Sequence, residues 1–522
     1  MQVRFLLGAP DFGGVQERFN CQVSKTLGPL SGHASSNLAP TAVGQRFKIP
    51  AVVFLTGACS LVVEIAAMRM LAPYFGNTIF TTSSVIGVVL GALSLGYFFG
   101  GKLSEKAKGE NLFYLVIALA GVGTVVVKIF GGLLLPILGY KLDVVSGPLI
   151  FSLVLFFVPS ALLGVVSPLG IKLHGLVNPK KGAGEVAGEI FFWSTAGSIA
   201  GSLAAGFVLI PFWGVGRIIL FTGAGLALLG VFGLGKPALL VLVGAAIFLG
   251  QWQFMPEGAV YDRDGVYGRI TIVDRFLGGK PVRYLIQDRN SMSGMYLGSD
   301  EDVFDYTKYF WVYRGIKPEV KRALFLGGGA YTLPKTLLKE QKSVAIEVVD
   351  VEPDLAGLAE RYFRVPRDPR LTSYVRDGRR FLEETSVRYD LIFGDVYQSL
   401  SSIPAHMTTE EFFKLVSERL SPGGVFMVNV IGNLTPTFPS FTLSEIKTFR
   451  GVFANSFFLA VESPSSLKTQ NMIFVGVNGA FDKPANIGDK IVDVGKYDLE
   501  RYPVLTDDYS PVEYLTAKML AD

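Results

Sequence analysis

Apolar positions between residues 49 and 251 come in long unbroken stretches, and from about residue 258 they give way to short alternating runs. A bilayer core about 30 Å thick takes roughly 20 apolar residues per crossing helix. Seven stretches approach that length: about 49–72, 79–100, 112–136, 147–173, 186–210, 215–234 and 237–251, the last being the shortest. Small residues recur at helix-packing spacing within them: Gly87 with Gly91, Gly96 with Gly100, and Gly197 with Gly201 and Ala205. Such faces let helix backbones approach closely where no hydrophobic force drives association. Three ionisable groups interrupt the apolar stretches: Glu64, Arg69 and Lys128. The two cations read as side chains snorkelling to an interface. Glu64 reads equally as a functional group or as one satisfied by a neighbouring helix.

The second half carries a different period. Residues 266–274 and 282–287 read as two strands around the turn Gly278-Gly279-Lys280-Pro281, a β-hairpin. A helical segment follows near 301–315, and then strands at 322–326, 343–349, 371–376, 389–394 and 424–430, with helices between them, notably 354–362 and 408–419. Strand and helix in alternation predict a parallel sheet covered by helices. The expected architecture is therefore a multi-span α-helical membrane domain over 48–251, with six to eight spans. A Rossmann-like α/β domain over 258–522 follows, opening with a small N-terminal β-hairpin region. Residues 1–47, rich in Gly, Ser, Pro and Asn and without period, read as a disordered extension.

Composition sharpens this picture. Half the residues are hydrophobic and 18% are charged, against about 25% charged in soluble domains. The net charge is only +4 and no basic run is interleaved with aromatics, which argues against a nucleic-acid partner. Two cysteines and three histidines, scattered over the chain, offer neither a disulfide framework nor a metal site. Lysines cluster at 102, 106 and 108 and again at 172, 180 and 181, with Lys48 on the same side. The positive-inside rule puts those loops in the cytoplasm. Seven full spans would then leave the α/β domain outside, so an even number of spans and a cytoplasmic domain are expected. The chain is thus expected to be integral to an inner or plasma membrane.

Candidate chemistry lies at strand ends. The strand Arg322–Leu326 runs into Gly327, Gly328 and Gly329, which allow a tight turn and close approach of backbone to a ligand. Strand 343–349 ends in Asp350, about 20 residues beyond the glycines, where a carboxylate accepts from ribose hydroxyls. Asp377 with Gly378 ends the third strand: the carboxylate suits the exocyclic amine of a base, or else caps the next helix. Asp395 ends the strand YDLIFGD. Ligands in open α/β sheets bind outside the carboxyl ends of strands, so Asp350, Asp377 and Asp395 should share one crevice.

Taken together, YGRITIVD, LFLGGG, VVDVEPDLAGLAERYF, DPRLTSYVRDGRRFL, YDLIFGD, MTTEEFF and LSPGGVFMVN resemble the spermidine synthase family of polyamine aminopropyltransferases. With TDDYSPVEYL at 506–515, the closer likeness is to its membrane-fused branch. The resemblance implies a methyltransferase-type fold and a donor, decarboxylated S-adenosylmethionine, that passes an aminopropyl group to an amine such as putrescine without a metal. It implies that Asp350 grips the ribose, that Asp377 and Gly378 form the adenine pocket, and that Asp395 accepts the proton of the attacking amine. Tyr306, Gln398 and His406 become substrate-binding candidates.

The chain departs from the family where substrates are chosen. Ala330 and Tyr331 stand where the family places an Asp after the glycines, Gln398 where it has a second Asp, and Thr307 where it has Gln or His. Glu301, Asp302 and Asp305 could compensate, but read as a solvated helix surface. Thr408 and Thr409 before Glu410 and Glu411 read as a helix N-cap. Two other functions stay open. One is methyl transfer from S-adenosylmethionine, whose carboxylate the family's extra Asp would repel. The other is a transporter or sensor with a nucleoside- or polyamine-binding domain. The partners expected are a small-molecule amine and the lipid bilayer, with homo-oligomerisation left open.

Overall fold

The expected succession of apolar stretches becomes a bundle of long helices. The computed structural model describes residues 39–107, 109–250, 257–288, 290–397, 403–481, 485–512 and 514–516; the segment 1–38 and Gln398 lie outside them. The helices are α1 (Ala39–Phe75), α2 (Ile79–Lys106), α3 (Asn111–Leu138), α4 (Gly147–Val177), α5 (Ala183–Ala204), α6 (Val215–Leu234) and α7 (Leu240–Gly250). Helix α1 begins ahead of the expected boundary at Lys48, and α5 continues through a π segment, Ala205–Leu209, to Trp213. Among the described residues six helices are long and apolar enough to cross a membrane: all of these but α7. The 11 residues of α7 span only about 16 Å at 1.5 Å per residue. Large apolar side chains face outward along the bundle, Phe207 and Phe248 at 77% and 76% exposure among them. A soluble bundle would bury such a girdle.

The small-residue faces work as expected in two cases. A Cβ on Gly96 would meet Ala161 O of α4 at 2.2 Å, and one on Gly201 would meet Ala58 O of α1 at 2.2 Å. Gly87 and Gly91 face open space, so that pair is no packing face in this fold.

The second half forms two sheets. The first is antiparallel, β1 (Ala259–Asp264), β2 (Arg269–Leu277), β3 (Lys280–Gln287) and β4 (Asn290–Tyr296), in that order. The predicted hairpin is β2–β3, and a strand on each side widens it to four. A 3₁₀ segment, Asp305–Gly315, replaces the expected α-helix. Then come β5 (Arg322–Leu326), α8 (Thr332–Glu340), β6 (Ala345–Asp350), α9 (Leu355–Tyr362), β7 (Leu371–Val375), α10 (Gly378–Glu384) and β8 (Tyr389–Gly394). The chain continues with α11 (Glu410–Glu418), β9 (Leu420–Gly432), α12 (Phe441–Val452), β10 (Ser456–Ala460) and β11 (Gln470–Val477). The seven-stranded sheet has the order β10-β11-β9-β8-β5-β6-β7. Strands β5 to β9 are parallel, as the alternation of strand and helix predicts. The sequence reading missed the antiparallel pair β10–β11. The order reverses beside β5, because β6 lies on one side and β8 on the other, and a crevice opens there.

The two halves are joined by hydrogen bonds. Arg69, near the C-terminal end of α1, donates to the carbonyl oxygens of Gly265 (3.2 Å), Val266 (2.8 Å) and Tyr267 (2.7 Å). The N–H of Val215, opening α6, donates to Asp264 at 2.9 Å. Arg69 therefore docks the two halves, and the expected snorkelling role is corrected: folded backbone supplies the carbonyls it would otherwise seek at an interface.

The lysines mark the other end of the bundle. Lys48 pairs with Glu110 at 2.6 Å, and Lys181 pairs with Glu185 at 3.6 Å. The α/β domain thus packs on the bundle end remote from the lysine clusters. An even number of crossings would return the chain to the lysine end, so the expectation tying domain and lysines to one side does not match this packing.

Candidate active site at the strand ends

Local sequence explains how the glycine turn brings backbone to the crevice. Gly327 has φ +92°, and a Cβ there would lie 2.3 Å from Asp395 O. Gly329 has φ +48°, with Ser293 Oγ 2.5 Å from where a Cβ would be. A side chain at either position would push β8 or β4 away. The Gly328 N–H donates to Asp350 Oδ2 at 2.7 Å, while Asp350 Oδ1 accepts from Glu352 N at 2.9 Å. The carboxylate that ends β6 is thereby aimed back over the turn. Burial pushes its carboxyl up from the ordinary range, and the backbone donors oppose that shift.

Asp395 follows β8 and is held from two sides. Tyr306 donates its phenol O–H to Oδ2 at 2.7 Å, and Asn429 Nδ2 donates to Oδ1 at 2.9 Å. Asn429 is itself fixed by Asn471, whose Nδ2 donates to Asn429 Oδ1 at 2.9 Å. Burial raises the Asp395 carboxyl, and these two donors counter the rise. Both oxygens retain lone pairs. The same burial, reinforced by Asp395, raises the Tyr306 phenol, which stays a donor. Thr307 is buried and donates to Phe304 O at 2.6 Å, so it braces the segment that delivers Tyr306.

Asp377 takes both roles open to it. Its Oδ1 caps α10 by accepting from Arg380 N at 2.9 Å, and its Oδ2 lies 3.1 Å from His406 Nε2. A cavity of about 380 Å³ brings together Gly327, Asp350, Asp377, Gly378, Asp395 and His406. Gly328 and Gly329 shape the turn beneath it and Tyr306 stands behind Asp395, none of the three in the lining. Thr409 caps α11 as expected, accepting from Phe412 N at 3.3 Å. The C-terminal motif closes one wall: Asp507 takes a two-pronged ion pair from Arg379 (2.6 and 2.5 Å), and Val512 and Thr516 line the cavity.

One acidic residue is misread in the sequence. Glu301 and Asp305 are exposed, as a solvated surface requires. Asp302 points inward instead, accepting from Thr332 Oγ1 at 2.5 Å and Phe304 N at 2.9 Å. Burial, with Asp395 nearby, pushes its carboxyl up to about 6. Sequence reasoning also missed Asn429, Tyr267, Gln287 and Met292. Only Asn429 carried a signal, as a polar residue amid the apolar run VFMVNV. Among the described residues no group of His, Cys, Asp and Glu is arranged to hold a metal ion.

A sheet whose parallel strands carry glycines after the central strand and carboxylates at the next three strand ends belongs to an α/β domain of the transferase type. Residues 312–473 match the spermine/spermidine synthase domain. The chain is 29% identical over 219 residues to a probable polyamine aminopropyl transferase of Bifidobacterium longum, covering 37% of this chain and 48% of that one. It therefore spans about half the length of that relative. It is 25% identical over 436 residues to polyamine aminopropyltransferase 2 of Streptomyces coelicolor, covering 77% of each chain. A match that long exceeds residues 258–522 and reaches into the helical half. A solved probable spermidine synthase of Corynebacterium glutamicum aligns with TM-score 0.38 and 24% identity over 44% of this chain and 82% of that one. The chain carries a spermidine synthase domain and is a homologue of the polyamine aminopropyltransferases, with apolar N-terminal helices consistent with a membrane-fused branch.

Proposed function

We propose that the chain is a membrane-anchored aminopropyltransferase-like enzyme that moves an alkyl group from an adenosyl sulfonium donor, decarboxylated S-adenosylmethionine, to an amine such as putrescine. The observation that carries this reading is Asp395, oriented by Tyr306 and Asn429 and sharing a cavity with Asp350 and Asp377. Asp350 and the Gly327–Gly329 turn would hold the ribose, and Asp377 with Gly378 the adenine. An alkyl amine is protonated at neutral pH and must lose a proton before it can attack. Asp395 would orient that amine and take the proton. The amine nitrogen then bonds to the methylene carbon beside sulfur, and the C–S bond breaks with its electron pair staying on sulfur. Neutral methylthioadenosine leaves.

Ala330 favours a second reading, methyl transfer from S-adenosylmethionine, because no Asp follows the glycines to repel that donor's carboxylate. Asp302 weighs against it. It hydrogen-bonds Thr332, two residues beyond Ala330, and its charge couples to Asp395. It supports a carboxylate at the donor's aminopropyl end supplied from another segment. The test uses the whole chain in detergent. A ligand at about 100 times its dissociation constant stabilises by about 2.7 kcal/mol, so decarboxylated donor and methylthioadenosine should both raise the melting temperature. A larger shift with S-adenosylmethionine would move the assignment to methyl transfer, and no shift with any of the three would remove both.

The donor requirement puts the α/β domain in the cytoplasm, whereas the lysine clusters at the opposite bundle end argue for the outside. The donor takes precedence in this proposal, since the chemistry stops without it. A C-terminal green fluorescent protein fusion should then fluoresce and an alkaline phosphatase fusion stay inactive. The reverse pattern would contradict the assigned side.

A further inference from the structure

The helical half supplies one wall of the cavity. Asn77 and Thr78, on the turn between α1 and α2, and Phe80, in the first turn of α2, line it together with the three aspartates. The turn is built, not draped. Thr78 caps α2 by accepting from Thr81 N at 3.1 Å, and Thr81 Oγ1 donates to Gly76 O at 2.9 Å. The facing wall is tied to the same helix. Tyr267, also in the lining, belongs to the loop whose carbonyls Arg69 holds. That loop's N–H groups, Val266 at 3.4 Å and Tyr267 at 3.0 Å, donate to Glu352, two residues beyond Asp350. Helix α1 thus fixes both the turn and a neighbour of the nucleoside carboxylate.

The charges in this cavity are unevenly placed. In the proposed reading Asp350 and Asp377 serve the nucleoside and Asp395 the reacting amine. Among the described lining residues the other charged one is a cation, Arg376, with His406 beside Asp377. The helical wall is neutral: an amide, a hydroxyl and a phenyl ring. Free putrescine would present a second ammonium with no further carboxylate among the described lining residues to pair it, and burying an unpaired charge is strongly unfavourable. Next to Phe80, Ile79 is 55% exposed at the start of a helix long and apolar enough to cross a membrane. The turn therefore lies where an apolar tail would leave the cavity along the bilayer surface.

Resting on the aminopropyl-transfer reading, we infer that the Asn77–Phe80 segment, the turn and the start of α2, determines acceptor specificity, and that the acceptor is a primary amine on an apolar body, not a free diamine. The test measures methylthioadenosine release by the full chain in nanodiscs with decarboxylated donor, comparing octylamine with putrescine. Wild type should favour octylamine at least tenfold in kcat/KM. Phe80→Asp, which offers a second carboxylate, should shift the ratio toward putrescine at least tenfold, and Asn77→Asp should shift it the same way. Release without added amine, in nanodiscs containing an ethanolamine phospholipid but not in those lacking it, would assign the source to a lipid headgroup; dependence on added octylamine would assign it to a soluble long-chain amine. Putrescine preferred by wild type would overturn the inference while leaving aminopropyl transfer intact, and that ratio decides even if a variant fails to fold. No release with any amine, together with no donor binding, would sink the underlying reading and this inference with it.

Discussion

Asp395→Asn should lower turnover by about 10²- to 10⁴-fold, the span expected for losing a positioned proton acceptor, while methylthioadenosine still binds. The substitution keeps size and shape. The amide oxygen can accept from Asn429 or Tyr306, which sit 2.9 and 2.7 Å from the carboxylate oxygens. What it loses is negative charge beside a cationic donor and the capacity to take a proton. A pH profile separates this from a structural role. Burial raises the Asp395 carboxyl, and Asp302 beside it is pushed up to about 6. A base works only when ionised, so wild-type kcat/KM should fall along an acid limb as pH drops through the raised range of the Asp395 carboxyl. Asp395→Asn should flatten that limb. Unchanged turnover, or an unchanged limb at lower turnover, would remove Asp395 from its role.

Asp350→Ala should act on the donor alone. Hydrogen bonds to a charged group contribute about 1.5–3 kcal/mol, so donor KM should rise about 10- to 150-fold. Acceptor KM should barely move. The backbone donors at Gly328 and Glu352 also lose their acceptor, which loosens the glycine turn beneath the proposed ribose site. Equal weakening of donor and acceptor would instead mark Asp350 as a brace for the whole crevice.

Both effects fall on residues legible in the sequence, and the reason is physical. Alternating strands and helices announce a parallel sheet, so a carboxylate closing each strand becomes a candidate, and topology then gathers those ends. Asp350, Asp377 and Asp395 were found that way. Asp302 was not, because its neighbours Glu301 and Asp305 are solvated and only the long-range bond to Thr332 turns it inward. Arg69 was misread for a related reason: its partners are backbone carbonyls nearly 200 residues away, and carbonyls leave no mark in a sequence. Asn77, Thr78 and Phe80 fit no chemical motif, and they join the cavity only because the α/β domain docks on that end of the bundle. The edge pair β10–β11 was missed because nothing in strand–helix alternation announces an antiparallel return.

The central claim is that this helix-tethered crevice moves an aminopropyl group. Its most direct test is to incubate the full chain with decarboxylated S-adenosylmethionine and a primary amine and to identify the nucleoside released. The account predicts methylthioadenosine together with an amine carrying an added aminopropyl group. Release of S-adenosylhomocysteine from the carboxylated donor, with no methylthioadenosine from the decarboxylated one, would contradict it.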